Sequence, residues 1–330
     1  MKAVRAALMF SVFTLIFAGA ARLRAQGQAS EGSVPAPTPT PVNPAKVALL
    51  HWYVANHTTH FPVGSQPYGL CFDGENIWSA NYGNASVSKV RASDGALLGT
   101  FTLPGTGPIG VAFDGANIWV TNNSGHTVIK LRASDGTVVG TYPTGLSPWW
   151  LAFDGENIWT ANYSDGTVTK LRAGDGMVLG TFTVGISPIG VAFDGNSIWV
   201  TNYGSNTVSK LRGIDGKVMG TFSVGANPLG IAFDGANMWI GNRNDASVSK
   251  LRASDGKVLG TFSLPGVNGP YGLVFDGTNI WVAGDIFIQV LQPASGTIVS
   301  QFRPATSTTG AFDGANVWVS ILDDNAVSKY

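Results

Sequence analysis

The sequence predicts an all-β fold of seven four-stranded sheets set around an axis and closed into a ring. Three observations lead there. The triplet Phe-Asp-Gly begins at Phe72, Phe113, Phe153, Phe193, Phe233, Phe275 and Phe312, at steps of 41, 40, 40, 40, 42 and 37 residues. Each interval breaks into four short apolar runs with turn signals between them. The two chain ends are out of phase with the repeat and complete each other. A period near forty with strand content is that of a seven-bladed β-propeller, one repeat to a blade. Composition agrees: 44% hydrophobic, 12% charged and 43 glycines in 330 residues suit an all-β chain with many turns.

Ahead of the repeats stands MKAVRAALMFSVFTLIFAGAARLRAQ. Lys2 and Arg5 precede an apolar run from Ala6 to Ala21, with small residues Ala18, Ala20 and Ala25 as cleavage candidates. Residues 1–25 read as a secretory signal peptide. The run is short for a spanning helix, and no later apolar run offers a transmembrane segment. Arg22 and Arg24 leave an uncleaved anchor as the alternative. Residues 26–45 form a Pro-rich linker, with prolines at 35, 37, 39, 41 and 44, a spacing that favours an extended tether or a leftover spacer. The expected location is secreted or periplasmic, with tethering at the cell surface as a variant. Removing residues 1–25 leaves 16 basic residues against 20 acidic, a net charge of −4. A mildly acidic chain without a lysine or arginine run carries no footprint for nucleic acid.

Residues 46–330 are assigned to the propeller. One repeat, residues 108–145, divides into the strand candidates IGVAF, NIWVTN, TVIKLR and TVVGTY. Asp-Gly pairs occupy its first and third connections, where they turn hairpins. After the seventh Phe-Asp-Gly only two more strand candidates follow, NVWVSI and AVSKY. The stretch HTTHFPVG before the first copy matches the end of a repeat. The N-terminus therefore supplies the missing outer strand, with residues 60–63 expected to pair antiparallel with residues 327–330 and seal the ring. Residues 47–55 lengthen this strand or lie beside it.

All seven copies keep Phe in the first strand and Trp in the second: Trp78, Trp119, Trp159, Trp199, Trp239, Trp281 and Trp318. These fourteen aromatics are assigned to the core between blades, which needs bulk. Cys71, the only cysteine, replaces alanine in five copies and reads as a small buried side chain rather than a nucleophile.

The runs IWVTN (residues 118–122 and 198–202) and TVSKL (residues 207–211), with VGxxPxGVAF joining blades, resemble the YVTN-type propeller repeats, relatives of the NHL repeats. The resemblance covers Phe61 to the C-terminus. It implies an exported seven-bladed propeller that binds other molecules. The GPxG and DGxxIW patterns are similar to those of the virginiamycin B lyases. That second resemblance implies a catalytic histidine, a bound magnesium ion and acidic residues at the ring centre. Fold alone does not settle activity.

Subtracting the repeat leaves the candidate site. Of seventeen aspartates, seven belong to Phe-Asp-Gly and five to third-connection turns. The remaining five, Asp165, Asp245, Asp285, Asp323 and Asp324, all fall in second connections, as do His126 and Arg243. In a four-stranded blade the second connection and the link to the next blade emerge on one face of the disc. Irregular chemistry thus gathers on that face. Five copies carry glycine where the third carries Trp150: Gly69, Gly110, Gly190, Gly230 and Gly272. Trp149 and Trp150 open an innermost strand there, at the mouth of the central channel. Strand alternation sends only one of the pair into the channel. Tyr68 and Tyr271 hold the Trp149 position in their copies. An aromatic mouth suits sugars, other ring-bearing ligands or apolar side chains; the alternative is a plug.

The sixth copy reads AGDIFIQVLQPASG and follows a lengthened link. Asp285 stands in its second connection, and Ile286 and Phe287 replace polar turn residues, making either an exposed partner-binding tip or a decayed repeat. The candidate ligand-binding residues are Trp149, Trp150, Tyr68, Tyr271, Arg243, Asp285 and Phe287. No catalytic residue, metal ligand or cofactor is assigned. His126 reads as a solvated turn residue without a catalytic partner, and His57 and His60 as a poor metal pair facing opposite ways. The recurring asparagines Asn81, Asn122, Asn162, Asn202 and Asn242 are expected to bond to their own turn backbone, with a polar channel ring as the sharper alternative. The lysine–arginine ladder, such as Lys130 with Arg132 and Lys210 with Arg212, reads as a solvated rim. Two functions follow: a binding protein whose irregular face holds a protein, glycan or small-molecule ligand, or a lyase- or lactonase-like enzyme. The second needs asparagines and aspartates to build a metal site in the channel.

Overall fold

A computed structural model describes residues 59–267 and 269–330. The signal peptide, the linker, residues 47–55 and His57 lie outside the described residues. Seven sheets of four antiparallel strands follow in chain order, each running from an innermost first strand to an outermost fourth. The third blade shows the pattern: Pro148–Phe153, Asn157–Asn162, Thr167–Arg172 and Val178–Thr183. First strands of successive blades pack on one another around a complete cycle, with Ser307–Phe312 of blade 7 against Pro67–Phe72 of blade 1.

The ring closes as the chain ends require. His60–Pro62 is the fourth strand of the last blade, outside Ser307–Phe312, Val317–Ile321 and Ala326–Lys329. The partners are His60 with Ser328, Phe61 with Val327 and Pro62 with Ala326, one residue earlier on the C-terminal strand than its expected start. Flanking hydrogen bonds from Val63 N to Asn325 O and from Lys329 N to Thr59 O extend the seam. Joining the first and last parts of the chain removes the free end that an open array would leave.

The Phe-Asp-Gly repeat is a structural device. In every blade the aspartate accepts the indole N–H of the second-strand tryptophan, as in Trp78 to Asp73 at 2.7 Å and Trp318 to Asp313 at 2.8 Å. Its other oxygen caps the turn, taking the backbone N–H groups of Glu75 and Asn76 in the first blade. Six of the tryptophans are fully buried. The seven phenylalanines are only half-buried, below the expected core position, because they sit at the regular face beside these turns. The aromatic partner stacked on each tryptophan, also half-buried, comes from the fourth strand: Phe101 on Trp78, Tyr142 on Trp119 and Phe182 on Trp159, with centroids 5.5–5.6 Å apart. Each such ring also covers the left-handed glycine of the next blade's third connection. Gly136 (φ 73°) lies under Phe101, where a Cβ would collide with the ring.

The lysines of the ladder do not form a solvated rim. Lys130, Lys170 and Lys210 are buried, and each ammonium lies over its own blade's tryptophan while donating to a turn carbonyl of the following blade. Aromatic face and carbonyl together replace the water that the charge gives up. The arginines do stay at the surface, in pairs such as Arg132 with Asp135.

Candidate functional site

The site begins with an irregularity in the innermost strands. In the third blade Pro148 faces Asn162 and Leu151 faces Thr160, so Trp149 and Trp150 together oppose the single residue Ala161. This bulge suspends strict alternation. Both tryptophans consequently line the mouth of the channel, where alternation had predicted only one. Glycine at the Trp150 position elsewhere has a packing cause. A Cβ at Gly110 would stand 2.6 Å from the Trp149 carbonyl oxygen, and one at Gly190 would collide with that of Leu229. Neighbouring first strands touch backbone to backbone there.

Above this ring lies a cavity of about 340 Å³. Its walls include Tyr68, Trp149, Trp150, Arg243 and Tyr271, five of the residues singled out from the sequence. Tyr163, Tyr203 and Ile189 join them. The tyrosines were missed, although a signal exists: the residues directly after the five recurring asparagines are Tyr82, Asn123, Tyr163, Tyr203 and Arg243, a column of which Tyr163, Tyr203 and Arg243 reach the cavity. Trp149 packs on Tyr163, centroids 5.8 Å apart, and Tyr68 on Tyr82 at 5.6 Å. Below the mouth is a smaller space of about 70 Å³ between Leu151, Val191, Ile231, Leu273 and Thr309. Trp150 and Tyr271 line both spaces, so the Trp150 indole forms a floor between them. Its Nε1 is shielded from solvent and has no hydrogen-bond partner among the described residues.

One side of the mouth is polar. The Arg243 guanidinium lies 4.6 Å from the Tyr271 ring centroid and donates to its hydroxyl at 2.6 Å. Arg243 and Asp285 also line an adjoining cleft with Gly269. Burial raises the Asp285 carboxyl above the usual range, with nearby Asp323 adding to the rise, while Arg243 and the Tyr271 hydroxyl oppose it. The Tyr271 hydroxyl is raised by burial and by Asp285 against the pull of Arg243. Burial, then Tyr82, raises Tyr68.

Phe287 does not belong to this constellation. It is half-buried, folded onto the cluster holding Leu264 and Val267 from the lengthened link, with the Arg303 guanidinium 5.7 Å from its ring centroid. Ile286 is likewise half-buried, so of the two readings of this turn the exposed tip is absent. The longer link buries its own apolar residues and needs this cover.

The recurring asparagines neither cap their own turn backbone nor line the channel. They are buried between the second and third strands: Asn162 Nδ2 donates to Thr167 and Thr169 hydroxyls, and Asn202 Oδ1 accepts from the Gly185 backbone in the incoming link. Asp165 and Asp245 hold the links in the same way, accepting from Leu146 N and Ala226 N. His126, in a left-handed turn (φ 56°), accepts from Ser147 N, and His60 bonds to Ser328. Cys71 packs beside the Trp78 cluster, and burial pushes its thiol pKa up.

The solved structures compared with the chain share this architecture. A streptogramin B lyase superposes with a TM-score of 0.70 at 20% identity, over 82% of this chain and 95% of that one. The chain is a seven-bladed β-propeller that resembles the virginiamycin B lyases in structure. Virginiamycin B lyase from Staphylococcus aureus matches at TM-score 0.70 and 17% identity, over 82% and 97% of the two chains. A hydrazine synthase chain of Kuenenia stuttgartiensis matches at 0.71 and 16%, over 81% and 97%. These identities show the fold alone. No family model and no curated protein sequence matches the chain.

A magnesium ion at the ring centre, which the lyase resemblance implies, does not fit the residues present. Magnesium takes oxygen ligands in octahedral array. The channel wall offers Leu151, Val191, Ile231 and Leu273 with the hydroxyls of Thr309 and Tyr271, and the asparagines are engaged elsewhere. The recurring asparagines, with Asp165 and Asp245, thus serve the seams between strands and links.

Proposed function

We propose that this is an exported binding protein that holds one ring-bearing ligand in the mouth of its central channel. The observation that carries the reading is the cavity of about 340 Å³ walled by Tyr68, Trp149, Trp150, Tyr163, Tyr203 and Tyr271, with Arg243 as its one cation among the described residues. That volume lies within the range of small-ligand sites, roughly 300–1,000 Å³. Trp150 supports the reading as a floor: it narrows the channel beneath the cavity and leaves the space above open. Export rests on residues 1–25. Tryptophan fluorescence and thermal shift, read against small-molecule and glycan libraries, test the reading. Trp149→Ala and Tyr203→Ala are expected to abolish the response while Val139→Ser, on an outermost strand, leaves it intact. Ligand binding indifferent to both mouth variants would move the site elsewhere.

A further inference from the structure

The mouth is chemically two-sided, and its two sides together select a class of ligand. Blades 3 and 4 contribute flat apolar surface: Trp149 against Tyr163, Tyr203 beside them, Trp150 below. Blades 5 and 6 contribute Arg243, bonded to the Tyr271 hydroxyl, and Asp285 beside Arg243 in the adjoining cleft. Each simple ligand class meets an objection on one side. An anion would pair with Arg243 but face the Asp285 carboxyl beside it. A cation would find aromatic faces and Asp285 but meet the guanidinium stacked on Tyr271. A wholly apolar ring would strip water from Arg243 and Asp285 without replacing the lost hydrogen bonds, a cost of about 1–3 kcal/mol per group or more for charged ones.

A neutral ring with several hydroxyls meets none of these objections. Each hydroxyl both donates and accepts, so neighbouring hydroxyls match a guanidinium donor, a phenol and a carboxylate acceptor. The C–H face of such a ring lies on indole and phenol faces. Resting on the binding role proposed above, we infer that the ligand is a neutral saccharide, with a pyranose ring lying on Trp149 and Trp150 and its hydroxyls directed to Arg243, Tyr271 and Asp285.

The test is calorimetric titration of the full chain with maltose, cellobiose and N,N′-diacetylchitobiose. Three comparison probes run beside them: 2-naphthol, 4-hydroxybenzoate and benzyltrimethylammonium. At least one disaccharide is expected to bind. Arg243→Gln and Asp285→Asn should each weaken it tenfold or more, while 2-naphthol binding changes less than twofold. Trp149→Ala should abolish both. Thermal melts of each variant separate loss of contact from loss of fold. Binding of 2-naphthol or either ion at the mouth with no disaccharide response overturns the saccharide inference and leaves the site standing. Disaccharide binding unaffected by Arg243→Gln and Asp285→Asn overturns the two-sided recognition. Silence from all six probes sinks both this inference and the reading beneath it.

Discussion

The Lys130 ammonium stands 5.1 Å from the centroid of the Trp119 ring, and the same nitrogen donates at 2.7 Å to the Ala173 carbonyl of the next blade. The pairing recurs at Lys89, Lys170, Lys210, Lys250 and Lys329. A buried cation so placed ties one blade's core to its neighbour's turn. Lys130→Met keeps the apolar stem and removes the charge, and is expected to lower stability by about 1–3 kcal/mol in urea unfolding. Arg132→Ala, which breaks a surface pair with Asp135, should cost less than about 1 kcal/mol. Equal costs would mean that the lysine is no more than a rim charge.

The sixth blade lacks the lysine for a reason written in the ring closure. Its position is Val290, opposite Trp281. The lysine's acceptor is always in the following blade's third-to-fourth turn, and blade 7 has no such turn because its fourth strand is His60–Pro62. Tyr330 occupies the place instead, with its ring 4.9 Å from Phe302 and 6.2 Å from Trp281. Deleting Tyr330 should destabilise the protein by about 1–3 kcal/mol in urea unfolding. Val290→Lys should lower the melting temperature, since its charge finds no turn carbonyl; a rise would show that repeat decay alone removed the lysine.

Gly190 marks a place where the fourth blade leaves no room for a side chain. Gly190→Ala should lose at least about 1–3 kcal/mol, because its Cβ meets the Leu229 carbonyl and the Thr201 hydroxyl. Gly174→Ala is the control, with open space around the new methyl and no positive φ. Chemical denaturation of the pair decides whether close backbone approach, rather than turn geometry, requires glycine at the inner ring.

Acid should unfold the ring through its repeated aspartates. Burial raises the carboxyl pKa of Asp73, Asp114, Asp154, Asp234, Asp276 and Asp313, but hydrogen bonds from the tryptophan indole and from turn backbone and asparagine donors outweigh it and leave each below its usual value. A carboxyl depressed in the folded state contributes stability that is present above its unfolded pKa, near 3.9, and lost as pH falls through the folded value. Stability should therefore drop below about pH 4, and Asp154→Asn should flatten that slope. Asp285 has the opposite sign. Its raised pKa makes the ionised form unfavourable, so Asp285→Asn should raise stability at neutral pH, as thermal melts at pH 5 and 7.5 can show.

Much of this was legible along the chain because repetition exposes its own rules. The position of Trp150 stood out against five glycines, and Tyr68 and Tyr271 stood out in the neighbouring column; all three line the mouth. Phe287 was misread because an apolar residue in a turn looks exposed until the link that it covers is placed. Lys130 was misread because a charge at regular spacing resembles a solvated face, and only packing reveals the indole beneath it and the carbonyl ahead of it. Tyr163 and Tyr203 were overlooked because repetition makes a column look structural even where it reaches the axis.

The linear chain determined the number of blades, the strand order and the closure between its ends. These follow from local patterns of apolar residues, Asp-Gly turns and the phase of the repeat. Tertiary structure decided which side chains meet across blades. It showed the bulge that turns both Trp149 and Trp150 to the channel, the burial of the lysines, and the approach of Arg243 to Tyr271 and Asp285. Such contacts join residues tens to hundreds of positions apart, and their geometry depends on how each wedge leans on the next.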